Sequence, residues 1–80
     1  MNATAAREFA VEAIDAGWSV MLLHGVDTGD SPFVSVEAKR DDRHIRVTWH
    51  TRQTGTYRLF SCAIGRRDVS LKAARSELTA

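Results

Sequence analysis

His44-Ile45-Arg46-Val47-Thr48-Trp49-His50-Thr51-Arg52 alternates cleanly: Ile45, Val47 and Trp49 point one way, and His44, Arg46, Thr48, His50 and Arg52 point the other. Successive side chains of an extended chain face opposite sides, so this stretch reads as a strand with one face in a core and one in water. Working outward, Phe33 to Ala38 repeats the pattern, with Val34, Val36 and Ala38 on one face and Ser35 and Glu37 on the other. Trp18 to His24 is rich in bulky apolar residues, and Tyr57 to Ile64 completes a fourth strand. The connections carry turn chemistry: Gly25 to Ser31 is loop-like, Lys39 to Arg43 is a polar turn, and Gln53-Thr54-Gly55 suits a three-residue hairpin loop with glycine in the left-handed position.

The period changes at both ends. Ala6, Phe9, Ala10, Ala13 and Ile14 recur at i, i+3, i+4, i+7 and i+8, one face of a helix over about residues 4–16. Thr4 or Asn2 is placed to cap it, and Gly17 stands where a left-handed residue ends a helix. Near the other end, Leu71, Ala74 and Leu78 share a helical face behind Asp68 or Ser70 as cap. The expected fold is α+β and two-layered: helix, four-stranded antiparallel meander, helix, with both helices on the apolar sheet face.

Eighty residues make a single domain over 1–80, because smaller pieces could not bury cores of their own. A core of this size supplies about 3–5 kcal/mol of net stability unless a staple or partner adds to it. Apolar residues make up 44% and charged residues 26% of the chain, ordinary globular values. Cys62 is the only cysteine, which excludes an intrachain disulfide and points to a reducing compartment, the cytoplasm. The N-terminal residues lack the basic-then-apolar pattern of a secretory signal, and Val20-Met21-Leu22-Leu23 is far too short to span a bilayer. Net charge is +1, but it is unevenly divided. Residues 1–38 carry Arg7 against Glu8, Glu12, Asp15, Asp27, Asp30 and Glu37, a balance of −5, and residues 39–80 carry +6. The simplest use of this split is attraction between the two halves within one fold; the other is a surface for an anionic partner.

Motifs for chemistry are sparse. His24, His44 and His50 lack metal-ligand spacing, and His44 and His50, six residues apart on one strand, stand about 20 Å from each other. Cys62 has no nucleophile context and reads as a small core residue. No serine sits in a nucleophile elbow. The Gly25-Val26-Asp27-Thr28-Gly29-Asp30 loop is acidic where a phosphate cradle must not be, and too short for a calcium-binding helix–loop–helix. No catalytic activity, metal or cofactor is expected.

The functional lead is the polar face of the third and fourth strands. A three-residue loop would pair Arg52 with Thr56, His50 with Arg58, Thr48 with Phe60 and Arg46 with Cys62. That register gathers His44, Arg46, His50, Arg52 and Arg58 on one side of the sheet with Phe60 among them. Arginines interleaved with an aromatic serve as a polar rim around an anchor at a protein interface. The same arrangement binds phosphates and stacks an unpaired base, and it is also what a plain solvated face looks like. Arg66-Arg67 with Lys72 and Arg75 forms a second basic cluster with the same ambiguity. Trp18, Phe33, Trp49, Tyr57 and Phe60 are many large rings for so short a chain, and two helices are not expected to cover both sheet faces, so an uncovered aromatic patch and self-association are expected.

The helix–sheet–helix order, closing with Ser70-Leu71-Lys72-Ala73-Ala74-Arg75, resembles the double-stranded-RNA-binding domain. That family has three strands and a lysine pair at the start of its last helix; this chain has an additional strand, and Leu71-Lys72 occupies the place of the pair. Ser31-Pro32-Phe33-Val34-Ser35-Val36-Glu37-Ala38, Val47-Thr48-Trp49-His50-Thr51-Arg52 and Gly55-Thr56-Tyr57-Arg58-Leu59 together resemble small orphan proteins of actinobacteria and their phages. This second resemblance implies an accessory protein acting on a phage or host macromolecule. The expectation is therefore a small non-catalytic binding protein, its partner another protein or a second copy, through Arg46, His50, Arg52, Arg58 and Phe60. The alternative is nucleic-acid binding by the same face; no membrane partner is expected.

Overall fold

The computed structural model describes residues 4–26, 32–51 and 57–80. In chain order these form α1 (Thr4–Asp15), β1 (Ser19–Val26), β2 (Pro32–Arg40), β3 (Arg43–Thr51), β4 (Tyr57–Ile64), β5 (Arg67–Asp68) and α2 (Leu71–Leu78). The strands form one antiparallel sheet in chain order, an α+β meander. One strand more is present than the four expected. Gly65, at φ 60°, turns the chain so that Arg67 and Asp68 pair back onto Ile64 and Ala63. Two residues are too few to show an alternation, which is why β5 has no signature in the sequence. Asp68 is thereby taken into the sheet, and Ser70 alone caps α2, its hydroxyl accepting the Ala73 amide hydrogen at 3.1 Å.

Both helices pack on the sheet face formed by Val34, Val36, Ala38, Ile45, Val47 and Trp49, all buried together with Ala6, Phe9, Ala10, Ala13, Ala74 and Leu78. Three alanines on α1 let its backbone approach the sheet closely, and Phe9 meets Trp49 edge-on at 6.5 Å. Ile14, expected on this buried face, is 58% exposed. At 3.6 residues per turn it lies about 90° round the helix from the centre of the buried stripe, so the sheet does not reach it. The end of α1 follows expectation: Gly17 adopts φ 91°, and the Trp18 and Gly17 amides donate to the Ala13 and Ile14 carbonyls, each at 3.0 Å. Asn2, the other candidate cap, and the 53–55 loop lie outside the described residues.

The β2–β3 turn ties down both helix ends. Asp41 adopts φ 56° in a two-residue connection, since Arg40 pairs with Arg43. From this turn Arg40 donates to the Ala16 carbonyl beyond α1 at 3.0 Å, while Arg43 donates to the Glu77 carbonyl at 2.8 Å and to the Glu77 carboxylate. Trp18 adds a bond from its indole to the Leu78 carbonyl at 2.8 Å, with the Arg43 guanidinium over its ring. Carbonyls in the last turn of a helix lack partners within it, so cationic donors there satisfy them and oppose the helix dipole. Arg75–Glu12 and Arg46–Glu37 ion pairs join the basic second half of the chain to the acidic first half. No helix among the described residues is long and apolar enough to cross a membrane.

Candidate functional site

Among the described residues no element covers the sheet face opposite the helices, and its side chains follow from the register. Phe33, Ser35 and Glu37 on β2 stand opposite His50, Thr48 and Arg46 on β3, and opposite Gly25, Leu23 and Met21 on β1. On β4 the register departs from expectation. His50 does pair with Arg58, but Thr48 pairs with Ser61 and Arg46 with Ala63, because a bulge inserts Phe60 between Leu59 and Ser61. The expected Thr48–Phe60 and Arg46–Cys62 pairings are thus corrected by one residue. The physical reason is the core: the bulge moves Cys62 opposite Val47, where it is buried, instead of leaving it among the arginines. Burial pushes the Cys62 thiol up from its ordinary pKa, so it stays protonated.

The bulge also sets Phe60 on the open face. Its ring stacks on the half-buried His50 imidazole at 4.2 Å, and His50 stacks in turn on Phe33 at 5.8 Å. Phe33 lies across the next strand at Gly25, where a Cβ would stand 2.7 Å from two ring atoms. Glycine at that position leaves the space the ring occupies. A tier of three rings therefore crosses the sheet from β1 to β4. Phe60, at its outer end, is 66% exposed, and Met21, on the same face, is 58% exposed.

The two remaining tiers are polar on β2 and β3 but end at β1 in Leu23 and Met21. In the middle, the Ser35 and Thr48 hydroxyls are bonded to each other, which satisfies the buried Ser35. At the far end Glu37 accepts from Arg46 at 2.8 Å and lies 3.1 Å from the His44 ring. Burial alone would raise the Glu37 pKa. The hydrogen bonds from His44 and Arg46 and their charges together outweigh that, and hold the carboxyl below its ordinary value.

The structure thus brings His50, Arg58 and Phe60 together, and separates Arg46 from them. Arg46 stands four residues along β3 from His50, about 13 Å at the usual strand rise, with its charge committed to Glu37. Arg52 lies outside the described residues. Of the second basic cluster, Arg66, Arg67 and Lys72 are exposed and Arg75 is paired with Glu12. Sequence reasoning missed Phe33, Gly25, Met21 and Leu23. The signal for Phe33 was present, since it has the parity of Ser35 and Glu37 and not that of Val34 and Val36. Among the described residues no three His, Cys, Asp or Glu side chains converge as metal ligands would. Comparison with protein-family models, with curated proteins and with solved structures returns no match for this chain.

Proposed function

We propose that this chain is a small non-catalytic binding protein that docks another protein on the open face of its sheet, with Phe60 as the anchor. The observation that carries this reading is a ring 66% exposed yet held in place by stacking on His50. A large apolar side chain already fixed in position loses little freedom on binding, which favours it as an interface anchor. Its surroundings fit an interface: Phe33 adds apolar area beside His50, Leu23 adds more in the next tier, the Ser35–Thr48 pair needs no outside partner, and Arg58 stands at the rim. The Glu37 carboxylate offsets Arg46 and His44 at the other end, which weakens the case for a phosphate backbone tracking this face. A reducing cytoplasm suits the unpaired Cys62. The likeness to small actinobacterial and phage proteins agrees with an accessory role on a larger partner.

Affinity capture from lysate, with and without nuclease and with Phe60→Ala beside the parent chain, tests the proposal. The expected result is a protein retained after nuclease treatment and lost with Phe60→Ala. Capture that disappears with nuclease would replace a protein partner by nucleic acid.

A further inference from the structure

We infer that strand β1 pairs antiparallel with the β1 of a second copy of this chain, joining the two sheets edge to edge into one. The inference rests on the sheet edge and is independent of what the open face binds.

The two edges of the sheet differ. At one, β5 is two residues long and both are charged, which blunts an edge against further pairing. At the other, β1 runs eight residues in unbroken register with β2, without proline, bulge, lysine, arginine, aspartate or glutamate. Its apolar side chains meet water on both faces: Met21 is 58% and Leu23 37% exposed on the open face, and Leu22 is 47% exposed on the helix face. The exposure of Leu22 means that the helix layer stops short of this edge and leaves room beside the strand. Among the described residues no strand lies beyond β1, and no backbone hydrogen bond ties it to anything but β2. Such an edge is a template for another strand.

Charge argues that the strand is a copy. A two-fold contact sets residue i against residue j and j against i, so an edge with a fixed charge near the axis would hold that charge close to its own copy. β1 carries no such group apart from the titratable His24. Antiparallel pairing of two identical edges needs the two-fold perpendicular to the sheet, which keeps both helix layers on one side and makes only residues of the same facing meet. With Leu22 opposite its own copy, Met21 meets Leu23 and Val20 meets His24. Of the two neighbouring registers, one sets Leu22 against His24 and Met21 against Gly25, and the other sets Leu23 against Ser19, so only the register centred on Leu22 pairs Met21, Leu22 and Leu23 all with apolar groups. The strip is small beside the roughly 800 Å² per partner of a standard interface, which places it among weak, concentration-dependent contacts.

Sedimentation equilibrium from about 5 to about 500 μM tests this. The parent chain is expected to pass from monomer to dimer. Leu22→Lys and Leu22→Glu are each expected to associate at least tenfold more weakly, and an equimolar mixture of the two to recover the dimer. Melting temperatures within about 4 °C of the parent verify folding, since Leu22 lies outside the buried core. Met21→Lys, at a more exposed position of the same strand, repeats the test if either variant fails to fold. A parent chain that stays monomeric throughout, or a folded Leu22→Lys protein that dimerises as well as the parent, overturns the inference. Phe60→Ala, three strands away, is expected to dimerise normally even if it loses its protein partner. Loss of the dimer in that variant would instead place the self-contact on the open face.

Discussion

The two faces of this sheet are built by the same strands with the same two-residue period, yet only one of them is dry. On the helix side Val34, Val36, Ile45 and Val47 are fully buried. On the other side large apolar groups stay in water at opposite corners of the face, Phe60 stacked on a half-buried His50 and Met21 in the tier of Glu37. A strand that alternates apolar and polar residues therefore announces which residues share a face, but not how apolar the second face is. Here the second face is polar at its Glu37 end and aromatic at its Phe33 end. Stability resides on the first face, and changes there should be felt in folding. Changes at the aromatic end of the second should be felt in binding.

The largest effect is expected from Ile45→Ala. Truncating a buried isoleucine costs about 2–5 kcal/mol, comparable with the about 3–5 kcal/mol that a core of this size supplies. Urea titration followed by circular dichroism should show the variant largely unfolded without denaturant. A cooperative transition at the parent midpoint would mean that the core is not where the buried face puts it.

Arg43→Ala comes next. It removes the donors to the Glu77 carbonyl and carboxylate and uncovers Trp18, while the side chain it deletes is 30% exposed. Charged hydrogen bonds, discounted for that exposure, give about 1.5 kcal/mol, a fall in melting temperature of about 6–12 °C. A shift under about 2 °C would show that the turn does not hold α2.

The smallest effect belongs to the polar end of the open face. Glu37 has a folded pKa below its ordinary 4.5, so its contribution to stability is present above about that pH and is lost as pH falls through the folded value. Melting curves between about pH 3 and pH 6 should slope less for Glu37→Gln than for the parent. An identical acid slope in both proteins would remove Glu37 from the account.

These contrasts also mark what the chain disclosed before folding. Four long strands and both helices were legible because Ile45-Arg46-Val47-Thr48-Trp49 and Ala6-Phe9-Ala10-Ala13 carry distinct periods. The bulge at Phe60 was not, because it is decided by the burial of Cys62 against a neighbouring strand, a demand that no local pattern states. The aromatic tier was half legible: Phe60 and His50 were placed on one face, but Phe33 needed the space over Gly25 to join them. Arg46 looked free in the sequence because its partner Glu37 lies on the adjacent strand.

The proposal that the open face is a recognition surface is tested most directly by titrating the captured partner with parent chain and with Phe60→Ala at two salt concentrations. An exposed side chain outside the core changes stability by only about 0.5 kcal/mol, so the variant should melt with the parent. Its affinity should nevertheless fall by about 2 kcal/mol, roughly thirtyfold, with little dependence on salt in either protein. A folded Phe60→Ala protein that binds as tightly as the parent would contradict the account. So would an affinity that falls by several powers of ten per decade of salt, since each duplex phosphate neutralised contributes about 0.9 of one.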